Sequence, residues 1–214
     1  MDWGNVMLEE FERWRPRLFA WALANLNQKY ERAVANYKRR LFQDLSGTVV
    51  EIGPGAGANL PYYSRGVRWI GIEPNPFMDR YLTRQAQKLG MEIEIRRGTG
   101  EQLPLPDASA DAVVSTLVLC SVSNLASVLA EVLRVLRPGG RFVFLEHVAA
   151  PEGTWLRRLQ GWLRPIWMRL GEGCQPDRET WIALQRAGFA TLDYSGFKAP
   201  VPVVSPQIVG VGIK

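Results

Sequence analysis

Glu51 and three alternate glycines, Gly53, Gly55 and Gly57, lie in the run VVEIGPGAGANL from Val49 to Leu60. An apolar run that passes into a glycine-rich turn lets a ligand approach the backbone closely. A carboxylate at the end of a buried strand is costly unless something pairs with it. Glu73 closes the next apolar run, RWIGIE, and is followed by Pro74 and Asn75. It stands about 20 residues past the glycines, where an acid commonly holds ribose hydroxyls. His147, the only histidine, ends RFVFLEHV; an imidazole there can take a proton or stabilise an anion. Cys120 follows DAVVSTLVL, and Cys174 lies between Gly173 and Gln175. Either is a reactive thiol or a small buried hydrophobe. Their separation and the single histidine argue against a metal site.

Two ligands compete for the glycine turn. A dinucleotide pyrophosphate would use G-x-G-x-x-G/A, with Ala58 in the last place. S-adenosylmethionine would use E/D-x-G-x-G-x-G, which EIGPGAG fits in full. Glu51, together with the hairpin tail described below, favours the second, because a carboxylate repels a pyrophosphate and pairs with an ammonium group. Candidate cofactor residues are then Glu51, Gly53, Gly55, Gly57, Glu73, Pro74 and Asn75, with Gly100, Glu101, Thr116 and Leu117 at later strand ends. In GTGEQLPLPDASAD, the loop backbone and Leu103 are placed to flank an adenine ring, with a polar contact from Gly100 or Glu101.

The elements that must position these residues follow from periodicity. TVVEI, RWIGIE, EIEIRR, DAVVSTLVL and RFVFLEHV read as five strands. Helices are expected after the glycines, shortened by Pro61, and at PFMDRYLTRQAQKLG and ASVLAEVLRVLRPGG. Such alternation means parallel strands with right-handed crossovers. A Trp-rich helical insert over 153–172 and the helix DRETWIALQRAG come next. TLDYSGFKA and QIVGVGIK then follow without a helix between them, which predicts an antiparallel edge pair. The fold expected is α/β: a doubly wound, mostly parallel seven-stranded sheet with a C-terminal antiparallel hairpin and a helical N-terminal cap. The cap covers 1–45 and the main domain 46–214. In the cap, Met7, Phe11, Trp14, Leu18 and Trp21 form one helical stripe, and Pro16 is expected to break or restart the helix. A stripe so aromatic should lie on the domain, a ligand or a membrane.

With 214 residues, 47% of them hydrophobic, the chain has enough apolar content for one substantial core and is not disordered. The net charge of +5 carries no basic run interleaved with aromatics, so nucleic acid is not an expected partner. The longest apolar run near the start, LFAWALA, falls far short of the roughly 20 residues a spanning helix needs. MDWGNVMLEEFERW does not read as a secretory leader. The expectation is a cytoplasmic protein with reduced thiols, whose N-terminal helix is able to touch a membrane surface.

By these residues the chain resembles class I S-adenosylmethionine-dependent methyltransferases, with their Rossmann-like fold. STLVLCSV, RVLRPGG, EHVAAPEGTW and GEGCQPDRETWIAL resemble, more narrowly, the animal thiol S-methyltransferases. The resemblance implies methyl transfer to small alkyl or aryl thiols. The resemblance implies a hydrophobic membrane leader in those relatives; here only the amphipathic segment above is read, so membrane anchoring is not expected to carry over. In many small-molecule methyltransferases an acid also contacts the adenine amine, where this chain has Thr99.

Methyl transfer is an in-line displacement for which the cofactor supplies the reactivity. The protein aligns the acceptor at about 3 Å from the methyl carbon and excludes water. His147 and Cys120 are the candidates for chemistry, with Asp177 and Arg178 as weaker ones. Tyr30, Tyr37, Trp162 and Trp167 are expected to form an apolar acceptor chamber. The alternatives are an O-, N- or C-methyltransferase of a quinone or lipid amine, a silent scaffold with the same fold, and a nicotinamide oxidoreductase. Glu51 and the terminal hairpin disfavour the last.

Overall fold

Alternation in the strands decides which side chains face which layer. Val50 and Ile52 in β1 (Thr48–Ile52), Ile70 and Ile72 in β2 (Arg68–Ile72), and Val113 in β4 (Ala110–Thr116) point to one face. Phe142 and Phe144 of β5 (Leu136–His147) join them. Val49, Trp69, Ala112, Val114 and Val143 point to the other. Both faces are buried, which is why these strands read as almost unbroken apolar runs. β3 is Glu94–Arg96; β6 (Thr191–Lys198) and β7 (Pro206–Ile213) complete a seven-stranded sheet in the order β3-β2-β1-β4-β5-β7-β6. β7 runs antiparallel between β5 and β6, and the remaining pairs are parallel. This is the doubly wound sheet with a terminal hairpin that the alternation predicts.

The computed structural model describes residues 3–214, with side-chain surroundings from residue 14 onward. Helices α2 (Gln28–Phe42) and α3 (Asp79–Leu89) cover one face, through Phe42, Leu82 and Ala86. Helices α4 (Leu125–Val135) and α6 (Thr180–Arg186) cover the other, through Val128, Leu129, Val132 and Leu184. Helices α1 (Trp3–Leu26) and α5 (Trp155–Leu170) lie over the carboxyl ends of the strands.

Three expectations fail locally. No α-helix follows the glycine turn; the crossover contains only a 3₁₀ turn, Leu60–Tyr62, with Pro61 in it. Three alternate glycines with positive φ and then a proline leave too few residues for helix nucleation. Pro16 does not end α1, which runs on to Leu26; a proline removes one N–H from the helix, and here the break comes at Asn27 instead. The aromatic stripe is not the packed face of α1. Trp14, Leu18 and Trp21 are 62, 59 and 47% exposed, whereas Ala20 is buried and Phe19 and Leu23 turn inward. Met7 and Phe11 lie outside the residues whose side chains are described.

Arg134, in the RVLRPGG run, ties the long loop before β4 to α4. Its guanidinium donates to the carbonyls of Leu103 and Leu105 at 3.1 and 2.9 Å. It also pairs with Glu131 and Asp107, and Glu131 in turn accepts the Leu103 N–H at 2.7 Å. Arg134→Met keeps the apolar stem and removes these donors. Its expected cost is about 1–2 kcal/mol of stability, the scale of lost hydrogen bonds to a charged group. A urea midpoint unchanged from wild type would show that the loop is held without it.

Candidate functional site

The crossovers from β1 and β4 leave the sheet in opposite directions, and a cleft opens where they part. A cavity of about 700 Å³ fills it, in the range that holds a cofactor-sized ligand. The three glycines turn the chain at its floor with φ of 60, 54 and 82°. A Cβ on Gly55 would meet only Leu23 Cδ1, at 3.9 Å, so this backbone is open to the cavity. Gly53 also lines it; Gly57 does not, and packs instead on Leu82 and Leu60.

Glu51 lines the cavity but is paired within the protein. It accepts hydrogen bonds from Asn59 Nδ2, Tyr63 Oη and Trp69 Nε1 at 2.8, 2.7 and 3.1 Å. Burial still pushes its pKa up, against the pull of those donors and of Lys38. Asn59 spends its other N–H on Thr116 Oγ1, and its Oδ1 is buried with no partner among the described residues. An unpaired acceptor beside a buried carboxylate fits an ammonium group. Glu73 takes one backbone N–H on each oxygen, from Gly55 and Asn75, both at 2.9 Å. Each oxygen keeps a further lone pair, which ribose hydroxyls would use. Burial raises the Glu73 pKa, and those two N–H groups oppose the rise.

Pro74, Asn75, Thr99, Gly100, Glu101, Thr116 and Leu117 all line the cavity. Glu101 is also a brace: its carboxylate accepts the Ser123 N–H at 2.8 Å, just before α4. Leu103 is placed differently from expectation. It is buried in the core with Ile72 and Val128, because Arg134 and Glu131 draw its loop against α4.

The opposite wall is formed by α1, α5 and the turns after β4 and α5. Phe19, Leu23, Leu163, Ile166, Trp167 and Leu170 make it apolar. Of the expected acceptor residues, Trp167 alone lies there. Trp162 is 77% exposed on the far side of α5. Tyr30 and Tyr37 belong to the face of α2 that packs on the sheet: Tyr30 Oη donates to Gln207 at 2.9 Å, and Tyr37 stacks on Phe197 at 4.2 Å. The neighbouring face of α2 lines the cavity through Glu31 and the buried Lys38, whose Nζ donates to Glu31 at 2.6 Å. No sequence motif marks that pair; its i, i+7 spacing on one helix face is the only signal.

His147, Cys120 and Cys174 meet on this wall, with their ligating atoms within 4.8 Å of one another. His147 Nε2 lies 3.0 Å from Cys174 Sγ, and Trp167 Nε1 donates to the same sulfur at 3.3 Å. Hydrogen bonding from Cys120 lowers the Cys174 pKa against burial, with His147 helping, while Cys120 is raised. Three features bring the cluster together. Leu117 takes a positive φ of 58° at the end of β4. The buried Glu146 then gathers Ser115 Oγ and the N–H groups of Val118 and Leu119 at 2.6, 3.1 and 3.1 Å. Burial lifts the Glu146 pKa to about 7. Arg178 donates to the carbonyls of Leu119 and Val122, and Gln175 N–H donates to the Cys120 carbonyl. Gly173 allows the approach: its φ is +88°, and a Cβ would come within 3.0 Å of the Ser121 carbonyl. Arg178 thus shapes the wall without lining it, and Asp177 accepts from Arg157 and faces Arg164.

Sheet order, glycine turn and acidic strand ends define a class I S-adenosylmethionine-dependent methyltransferase, and a family model described as a methyltransferase domain matches residues 50–144. Human thiol S-methyltransferase TMT1A is 40% identical over 210 residues, covering 92% of this chain and 86% of that protein. Human TMT1B is 37% identical over 220 residues, covering 94% and 89%. A solved Thermotoga maritima methyltransferase, described as a possible histamine N-methyltransferase, shares the fold with a TM-score of 0.64 at 20% identity, covering 97% and 95%. The chain belongs to the thiol S-methyltransferase family, and its methyl donor is S-adenosylmethionine.

Loss of the Glu73 carboxylate is expected to weaken adenosylhomocysteine binding. Glu73→Ala should cost about 1–3 kcal/mol in titration calorimetry, the range for a hydrogen bond to a charged group. An unchanged dissociation constant would remove Glu73 from the cofactor contact.

Proposed function

We propose that this enzyme transfers the methyl group of S-adenosylmethionine to the sulfur of small apolar thiols. One observation carries the reading: on the mostly apolar wall facing the glycine turn, beside Ser121 and Glu172, two sulfurs and an imidazole are held together at the cavity surface. Glu73 would hold the ribose, Glu51 and Asn59 the ammonium end, and the backbone from Thr99 to Glu101 the adenine. When bound, the cofactor supplies a methyl carbon activated by its sulfonium. The protein's part is to orient the acceptor, exclude water and stabilise the acceptor as thiolate. Leu163, Ile166, Trp167 and Leu170 favour an apolar acceptor body, and His147 and Cys120 stand where its sulfur would sit.

The reading is tested by incubating the protein with adenosylmethionine and an alkyl thiol, its alcohol and amine counterparts, and a quinol. Adenosylhomocysteine, quantified by mass spectrometry, should form with the thiol alone. Product with an oxygen or nitrogen acceptor would move the enzyme to the alternative chemistry that shares this cofactor site.

Among the described residues, no helix is long and apolar enough to cross a membrane. The outer faces of α1 and α5 nevertheless expose Trp14, Leu18, Trp21, Trp155 and Trp162. Arg15 joins the two helices, reaching the Arg169 carbonyl at 3.0 Å and Glu172 at 3.5 Å. Exposed Trp and Leu interspersed with arginines is the composition of an interfacial helix, and it supports contact with a lipid surface. The protein should co-sediment with liposomes of mixed anionic lipid, and Trp155→Ser/Trp162→Ser should reduce the bound fraction. Equal recovery of both proteins in the supernatant would remove the lipid surface from the account.

A further inference from the structure

The chain contains two cysteines and one histidine, and the fold places all three at one point of the cavity wall. They come from the turn after β4, the end of β5 and the turn after α5. We propose that Cys120, His147 and Cys174 form a three-ligand site for a thiophilic divalent cation, zinc above all, with its fourth position open to the cavity.

The donor set is the chemistry of zinc. Two thiolates and one imidazole nitrogen are borderline-soft ligands, and three protein ligands with one open position is the pattern of catalytic zinc. Bond lengths of about 2.3 Å to sulfur and 2.0–2.1 Å to nitrogen put tetrahedral donors about 3.4–3.8 Å apart. Here all three donors lie within 4.8 Å, and the Nε2–Sγ pair is at 3.0 Å, so closing the tripod takes movements of about 1 Å or less. The ring presents Nε2 to the sulfur, and Nδ1 is buried with no partner among the described residues. The surroundings supply a donor to one sulfur and a hydroxyl beside the other, while the Cys120 thiol also faces the Leu117 carbonyl at 3.5 Å. Trp167 Nε1 donates to Cys174 Sγ, and Ser121 Oγ lies 3.4 Å from Cys120 Sγ. Charge also balances. Two thiolates in an apolar wall are costly alone, and a divalent cation makes the group neutral.

Such a site deepens the thiol reading and rests on it for its role, though not for its existence. An acceptor thiol entering the open position loses its S–H proton to solvent as its sulfur binds the cation. The bound sulfur then forms a bond to the methyl carbon. The carbon–sulfonium bond breaks with its electron pair left on adenosylhomocysteine, and the neutral thioether, a weak ligand, departs. Alcohols and amines bind a thiolate-rich zinc less well, so the site itself selects sulfur.

The test is metal binding by the reduced, full-length protein, read without turnover. Elemental analysis after equilibration with zinc should give one cation per chain. Cobalt(II) added anaerobically should give a sulfur-to-cobalt charge-transfer band that zinc abolishes; no other cysteine exists to produce it. Cys120→Ser and Cys174→Ser should each roughly halve the band. Changes in outer-shell partners alone cost 10–100-fold in affinity, so His147→Ala should lower zinc affinity at least about tenfold. Should a variant fail to fold, the zinc–cobalt competition on wild type stands by itself. No band, or no stoichiometric zinc, overturns the site. Chelator-stripped protein that methylates thiols at the full rate overturns the catalytic role and leaves the thiol reading intact. Bound zinc with product from alcohols or amines alone upholds the site and overturns the thiol reading.

Discussion

A carboxylate at the end of a buried strand must find donors, and the cavity is built around three that do. Glu51 lies one residue before the end of β1, Glu73 follows β2, and Glu146 lies near the end of β5. Each is nearly without solvent, and in each case burial raises the pKa. Their donors come from the turns around the cleft. Asn59 reaches back to Glu51 from beyond the glycine turn, Gly55 N–H reaches Glu73, and the N–H groups after Leu117 reach Glu146. The acids thus hold the turns in the shape that leaves the cleft open. Removing any one would leave backbone N–H groups or side-chain donors without a partner, a cost comparable to the hydrogen bonds themselves.

This arrangement gives the cavity two chemically different ends. At the glycine end, acceptors dominate: two carboxylates and the unpaired Asn59 Oδ1. Hydroxyl and ammonium groups belong there. At the α5 end the wall is mostly apolar, with the sulfurs and imidazole beside Ser121 and Glu172. A ligand with a polar nucleoside, a charged amino-acid arm and a softer reacting partner is matched in sequence along one cleft. Lys38 is the exception in sign. It is held by Glu31 and lies close enough to Glu51 to lower its pKa, so it offsets the negative charge gathered at the floor.

Much of the frame was legible because it is local. Strand–helix alternation predicts parallel pairing, and a missing helix between the last two strands predicts the hairpin. The glycine turn and Glu73 follow from spacing alone. What stayed hidden depends on orientation. Helical periodicity says that Trp14, Leu18 and Trp21 share a face, and that Tyr30 and Tyr37 share another. It does not say whether that face meets solvent, sheet or cavity. α2 shows the difference: one stripe packs on the sheet, and the next, one residue over, lines the cleft. Leu103 was misplaced for a similar reason, since only Arg134, far along the chain, decides that its loop folds inward.

The cysteines are the sharpest case of the same limit. Read along the chain, Cys120 and Cys174 have no metal-type spacing, and one histidine is too few for a familiar motif. A parallel sheet, however, brings all its strand ends to one edge, whatever the distance between them in sequence. β4 and β5 are adjacent, so Cys120 and His147 start out as neighbours. The remaining step is the turn carrying Cys174, which Gly173 lets pass within contact of the Ser121 carbonyl and which Arg178 and Gln175 bind in place. GEGCQPDRE is therefore a segment whose small and charged residues serve one end: setting a sulfur against an imidazole across the mouth of the sheet. A chain that needed only packing there would have no use for a glycine at +88°, a half-buried arginine on two carbonyls, and an indole aimed at sulfur.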